Sequence, residues 1–592
     1  MFTTRPELRG TFGMVASTHW LASAAGMSVL ERGGNAFDAA AAAGFTLQVV
    51  EPHLNGPGGE VPVVFAPAGG RPTVLCGQGP APAAADIATF RAKGLDRVPG
   101  TGLLAATVPG SFDAWLLMLR DHGTMSLRDV LTYAIGYARD GFPVVGRIAE
   151  TVAEVEKLFR EDWPTSAALW LDGGMPTPGE LFRNPVLAAT YARIVEESER
   201  DASGREAQID AARRVWREGF VAAEIAAFVR APVRDVTGDE HAGLLTADDL
   251  ATYEATYEEP VTVEHAGLTI AKTGPWGQGP VHLQQLRLLD ALGVDALDVY
   301  SADFVHTVVE AAKLAFADRE AWYGDPNRVD VPLDALLSPE YAAERAKLVG
   351  AQASYDLRPG SPDGREPRMA ALAGAVVDDM PGLTAIGEPT IAPSGVTRGD
   401  TCHVDVVDRW GNFVAATPSG GWLHSSPTIP ALGFPLGTRA QMFWLDESSS
   451  SALVPGTRPR TTLTPSLALR DGEPVLAYGT PGGDQQDQWS LTFLLRLVHG
   501  GLDLQQAVDA PMFHTNGFPS SFYPRQTVPG EVLAEDRLGD EVLDDLERRG
   551  HRVTRSEPWS LGRLSAVGRD PETGVLTAGA NPRGMQGYAV GR

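Results

Sequence analysis

Three features in the C-terminal third of the chain combine residue types that could do chemistry together. Thr401 opens a strand pattern directly after a long Pro-, Gly- and Asp-rich segment. Thr417 lies on the returning strand of the same hairpin. Gly482–Gly483 stands between a strand and a helix. A hydroxyl becomes a nucleophile when a base takes its proton, and glycine backbone ahead of a helix can approach and hold a developing anion. Together these are the parts of an acyl-transfer centre. Taken singly, a strand threonine and a Pro-Gly-Gly turn are ordinary structure.

Such residues need elements to hold them. TCHVDVVD alternates apolar and polar residues, RWGN turns the chain, and FVAAT returns, which predicts a hairpin. A second hairpin, TPSLALRDGEPVLAYGTPGG, has a DG turn and runs into a helix, DQWSLTFLLRLVHGG. Near the N-terminus GMVAST reads as a strand, LASAAGMSVLERGG as a helix closed by Gly33 and Gly34, and DAAAAAGFTLQVV as a buried Ala-rich helix. The turn NGPGGE and the strand VPVVFAP follow. Residues 105–350 are mostly helical by their i, i+3, i+4 apolar spacing. Residues 355–400 show weak periodicity and many Pro, Gly, Asp and Ser, and are read as a long flexible segment.

Composition narrows the function classes. With 592 residues, 43% apolar and 21% charged, the chain is an ordinary globular protein. A net charge of −26 repels phosphate backbones and anionic lipid heads, so neither nucleic acid nor a membrane surface is expected as a partner. No run approaches the ~20 apolar residues of a membrane span, and MFTTRPELRG does not read as a signal peptide, so a cytoplasmic location is expected. Cys76 and Cys402 are too few for a disulfide framework or a Cys-based zinc site. No H-E-x-x-H and no G-x-S-x-G occurs, which argues against a zinc hydrolase and an α/β-hydrolase. GPWGQG (274–279) lacks the P-loop lysine and the dinucleotide spacing and reads as a turn lining a cleft. No cofactor and no metal is expected.

The blocks GMVAST with ERGGNAFDAA, EAAKLAFADREAWYGDP, DTCHVDVVDRWGN, RPRTTLTPSLAL and TPGG occur in an order that resembles the γ-glutamyltransferase family of N-terminal-nucleophile hydrolases across nearly the whole chain. The resemblance implies an α+β fold, a four-layer αββα sandwich. It also implies a precursor that cleaves itself between Asp400 and Thr401 into a large fragment, 1–400, and a small one, 401–592, which remain together as a heterodimer. Thr401 would then be the nucleophile and its freed α-amine, with an intrinsic pKa of ~7.7–8.0, the base. Thr417, sixteen positions on, is expected from the family pattern to hydrogen-bond Thr401. Gly482 and Gly483 would supply the oxyanion donors.

The departures from the family concern substrate. The arginine that grips a glutamyl α-carboxylate falls at or near Gly77, the aspartate for its α-amine falls at Trp444 after the pair Gln441–Met442, and an asparagine falls near Gly421. The family's serine pair becomes Thr461–Thr462. The resemblance therefore implies amide or acyl chemistry on a small molecule with the amino-acid clamp unmatched. Expected substrate contacts are Ser419, Gln441, Trp444, Thr461 and Thr462, together with Arg439 and His424. Arg439, Arg458 and Arg460 are within reach in sequence for an anionic group, and Glu60, after the NGPGG turn, is a further residue that could face the site. The alternatives are a true γ-glutamyl hydrolase or transpeptidase with a relocated clamp, and an uncleaved, non-catalytic binding protein.

Overall fold

The computed structural model describes residues 2–371, 373 and 401–592. Asp400 and the end of the segment expected to be flexible lie outside the described residues. The earlier part, 355–371, is tied down: Tyr355 donates to the Gly550 carbonyl (2.7 Å), Gly360 N donates to Asp318 (2.6 Å), and Ala371 N donates to Asp446 (2.7 Å).

Two seven-stranded sheets form the centre. The first has the order Tyr588–Gly591, Gly13–Ser17, Val404–Asp408, Phe413–Ala416, Val61–Ala66, Thr73–Gly77, Thr256–Glu258. Its middle is the hairpin predicted from TCHVDVVD and FVAAT, and Gly411 at its turn has φ 90°, which glycine adopts without a Cβ clash. The second sheet holds the other predicted hairpin, Ser466–Arg470 with Glu473–Gly479, flanked by Ser565–Arg569 and Leu268–Lys272. Every pairing in both sheets is antiparallel.

Side-chain alternation sorts the residues into layers. Met14, Ala16, Val407, Phe413 and Ala415 of the first sheet pack against Leu467, Ala477 and Val567 of the second, so this is the seam between the sheets. Val404, Val406 and Val414 point the other way, onto a layer that includes the helices Trp20–Glu31, Ala36–Val50 and Ser111–His122. The second sheet is covered on its outer face by Gly279–Ala291, Ala302–Trp322 and Gln486–Val498. The result is the four-layer αββα sandwich. The Ala-rich helix Ala36–Val50 is buried along its whole length and is started by a capping box in which Asn35 and Asp38 satisfy each other's backbone N–H. Among the described residues no helix is long and apolar enough to cross a membrane, and Cys76 and Cys402 are free, buried thiols.

Candidate active site

Strand register decides which residues meet. Val404 pairs with Ala416, and the same antiparallel register carries on to a bridge between Thr401 and Ser419. Thr401 is wholly buried, and its Oγ1 lies 3.2 Å from Ser419 Oγ. Thr417 instead opposes His403, whose Nδ1 lies 2.9 Å from Thr417 Oγ1. The expected Thr401–Thr417 hydrogen bond is thus replaced by Thr401–Ser419. An antiparallel ladder pairs residues whose numbers sum to a constant, and eighteen positions, not sixteen, bring a residue opposite Thr401.

Thr401, His403 and Asp405 occupy alternate positions, so all three face the seam between the sheets. His403 Nε2 lies 2.9 Å from Asp405 Oδ1, and Asp405 Oδ2 accepts from the Ser565 hydroxyl of the opposite sheet (2.7 Å). Burial raises the Asp405 pKa, with His403 opposing. The His403 ring packs flat on the end of the strand Glu473–Gly479: a Cβ at Gly479 would come within 2.3 Å of it. This contact sets the strand that follows Thr401 against the strand that leads to the glycine turn. Neither His403 nor Asp405 was singled out from sequence, although the alternation in TCHVDVVD places both on the Thr401 face.

The turn itself has left-handed backbone, φ 129° at Gly482 and 54° at Gly483, and feeds a 3-10 turn and then the helix Gln486–Val498. Among the described residues neither glycine N–H donates to a backbone carbonyl. Gln278, in the GPWGQG turn, reaches toward the Gly483 carbonyl with Nε2 (3.4 Å) and accepts from Arg319 with Oε1 (2.9 Å). That turn therefore buttresses the glycine pair.

Arg439 and Glu60 complete the wall beside Thr401. The Arg439 guanidinium meets Glu60 at 2.5 Å and donates to Ser419 Oγ at 2.9 Å. Burial raises the Glu60 pKa and Arg439 opposes it. Trp422 and Phe522 lie over the guanidinium, with ring centroids 5.2 and 5.7 Å away. His424 stacks beside Trp422 at 6.0 Å. Gly420 leaves room for the pair, since a Cβ there would strike Glu60 at 2.6 Å.

The remaining expected contacts separate. Gln441 is engaged at both ends: Nε2 approaches the carbonyls of Gly100 (3.3 Å) and Thr438 (3.2 Å), and Oε1 accepts from Tyr523 N (3.1 Å). Thr461 N donates to the Trp276 carbonyl (3.0 Å), while the buried Thr462 hydroxyl has no hydrogen-bond partner among the described residues. Arg458 is held by Glu258 and Asp325, and Arg460 by Glu320 at 2.8 Å. Gly77 has no space for a side chain, since a Cβ would meet the Val61 carbonyl at 2.4 Å. Trp444 is buried under the guanidinium of Arg525, 3.9 Å from the ring centroid. A grouping of possible metal ligands, His306, Glu310 and His551, lies on other elements, and Glu310 there is already paired with Lys313 (2.6 Å) and Arg358 (3.3 Å).

A family model for gamma-glutamyltranspeptidase matches residues 22–591. The chain belongs to the γ-glutamyltranspeptidase family. It is 30% identical over 588 residues to the glutathione hydrolase-like YwrD proenzyme of Bacillus subtilis, covering 98% of this chain and 99% of the relative. It is also 30% identical over 600 residues to the oxamate amidohydrolase proenzyme of Klebsiella pneumoniae, covering 98% of each. The solved structure of LmbA2991HD superposes over the whole of both chains with a TM-score of 0.94 at 59% identity. Cephalosporin acylase from Bacillus halodurans gives 0.82 at 28% identity, covering 100% of this chain and 97% of that one. As a γ-glutamyltranspeptidase-family protein, the chain shares its fold with hydrolase and acylase relatives.

Proposed function

We propose that this chain is a self-processing amidohydrolase or acyltransferase whose nucleophile is Thr401. The observation that carries the reading is the placement of Thr401 in a family member. It sits at the mouth of the central hairpin, facing the seam, bridged to Ser419 and through it to Arg439. In the continuous chain Thr401 is fully buried, so severing the bond before it would both free its amine and open the centre. Thr401 Oγ attacks the Asp400 carbonyl, the peptide C–N bond breaks, and water hydrolyses the resulting ester to leave the Asp400 carboxylate and the Thr401 amine. In turnover the amine takes the Thr401 hydroxyl proton and Oγ attacks the amide carbonyl. Gly482 and Gly483 N–H groups hold the oxyanion, and the leaving amine departs with the proton. Water or an amine then takes the acyl group.

Two features support a substrate other than a free γ-glutamyl group. Gly77 is sealed by strand backbone, and an indole stands where an aspartate would receive an α-amine. The proenzyme relatives, an oxamate amidohydrolase among them, fit a small amide. Mass spectrometry after incubation with a panel of small amides tests the reading. A small fragment beginning at Thr401 and bearing the acyl mass is expected; a fragment with another first residue, or an adduct elsewhere, overturns it.

A further inference from the structure

We propose that the buried ion pair Lys272–Asp487 positions the Gly482–Gly483 turn, fixing the direction in which the two glycine N–H groups point. The inference rests on the reading of those groups as the oxyanion donors and names the residues that aim them. The turn is not held by its own chain. Both glycines have left-handed backbone, φ 129° and 54°, and among the described residues no side chain caps the helix Gln486–Val498 that follows. Glycine has the widest choice of backbone angles, so such a turn keeps one orientation only where its neighbours impose it.

Asp487, in the first turn of that helix, supplies the hold. Its Oδ1 accepts from Lys272 Nζ at 3.0 Å and from the Thr464 hydroxyl at 2.9 Å. Lys272 Nζ also donates to the Thr464 carbonyl (3.0 Å) and to Ser466 Oγ (2.8 Å). Thr464 N donates to Gln486 Oε1 at 3.2 Å, and Gln285 Nε2 donates to the Asp487 carbonyl at 3.2 Å. Gln278, which reaches toward the Gly483 carbonyl, also faces the Asp487 carboxylate. His282 completes the surround, with Nδ1 3.7 Å from Asp487. The start of the helix is thus pinned to the strand Leu268–Lys272, to the segment entering Ser466–Arg470 and to the helix Gly279–Ala291. Burial raises the Asp487 carboxyl to about 6 and Lys272 opposes it, so it is ionised at neutral pH.

Stability is a poor reason for such a pair. Both side chains are 0% exposed. Two desolvated charges contribute little net stability over an apolar pair of the same volume, but they specify one geometry. Donors to an oxyanion are effective only when they are aimed before the charge develops. Asp487 lies four residues after Gly483, and the strand entering the turn ends at Gly479 against the His403 ring. One side of the turn therefore follows the strand after Thr401, and the other follows the Lys272–Asp487 pair.

The test uses the processed enzyme and 4-nitrophenyl acetate, with the rate of Thr401→Ala subtracted. The variants are Asp487→Asn and the double variant Lys272→Met with Asp487→Asn. Each is expected to lose about tenfold or more in kcat with KM unaltered, since misaimed donors weaken only the transition state. The double variant leaves no buried charge, so it should regain the wild-type midpoint in urea while its kcat stays low. A kcat within about twofold of wild type in Asp487→Asn, or one that returns together with stability in the double variant, overturns the inference. Should Asp487→Asn not fold, the double variant carries the same test. Hydrogen exchange read by mass spectrometry follows the turn without turnover. The peptide carrying Gly482 and Gly483 should exchange about tenfold faster in the double variant, with the hairpin Val404–Ala416 unchanged. Equal protection of that peptide in wild type and variant overturns the inference. Should wild type release no more nitrophenolate than Thr401→Ala while the exchange contrast holds, the nucleophile reading fails and the positioning of the turn stands.

Discussion

Two buried ionic clusters, one at Ser419 and one beside the glycine turn, are built differently. Beside Thr401, Arg439 and Glu60 pair among the described residues, and both also contact the segment that carries Ser419. Beside the glycine turn, three arginines meet two carboxylates. A matched buried pair is a rigid positioning unit whose members cannot be removed separately without leaving a bare charge. The first cluster therefore reads as scaffold for the wall beside Thr401 and the second as scaffold for the glycine turn, with Arg525 outside its ion pairs among the described residues.

The most drastic change removes the proposed nucleophile beside the first cluster. Thr401→Ala should remain one band on a denaturing gel and lose about 10³-fold or more in amide turnover; two bands in that variant would refute the nucleophile assignment. Next, Glu60→Gln removes a buried carboxylate paired with Arg439 and should cost about 3–5 kcal/mol in urea unfolding. Arg525→Gln removes the odd charge of the unmatched cluster and should cost less than about 1 kcal/mol, because the lost hydrogen bonds are offset by relief of an uncompensated cation. Equal losses in the two variants would erase the distinction.

Acid sharpens the same contrast. Burial alone would push Glu320 up, but Arg460, Arg319 and Arg525 hold it at about 2. Its folded pKa is depressed, so its contribution is present above the unfolded value of about 4.5 and is lost as pH falls from there toward 2. Unfolding scans should show a loss on the order of 3 kcal/mol across that window, reduced in Glu320→Gln. The smallest effect separates the two hairpin hydroxyls. Ser419→Ala should slow self-cleavage by roughly tenfold, the worth of one buried hydrogen bond, and Thr417→Ala by less; the reverse order would return Thr417 to the nucleophile.

Much of the frame was legible in the sequence because it is local. Period-2 alternation in TCHVDVVD and LALR, the DG turn with Asp471 at φ 51° and Gly472 at φ 83°, and apolar helix spacing each act within a few residues. Ordered family blocks then pointed to Thr401 and the glycine pair. The offset between Thr401 and its partner was misread because a pattern of conserved types carries no register, whereas the ladder through Val404 and Ala416 does.

What only the tertiary structure decided is which charges share a site. Arg319, Arg460, Asp484 and Arg525 are far apart along the chain, and nothing in their local sequence distinguishes a buried guanidinium from a solvated one. Electrostatic pairing in a low-dielectric interior depends on distances set by packing of the two sheets and their outer helices. The sequence alone determined the elements and Thr401's place at the head of the central hairpin; the fold determined that Arg439 and Glu60 pair beside it and that Arg319, Arg460 and Arg525 gather with Glu320 and Asp484.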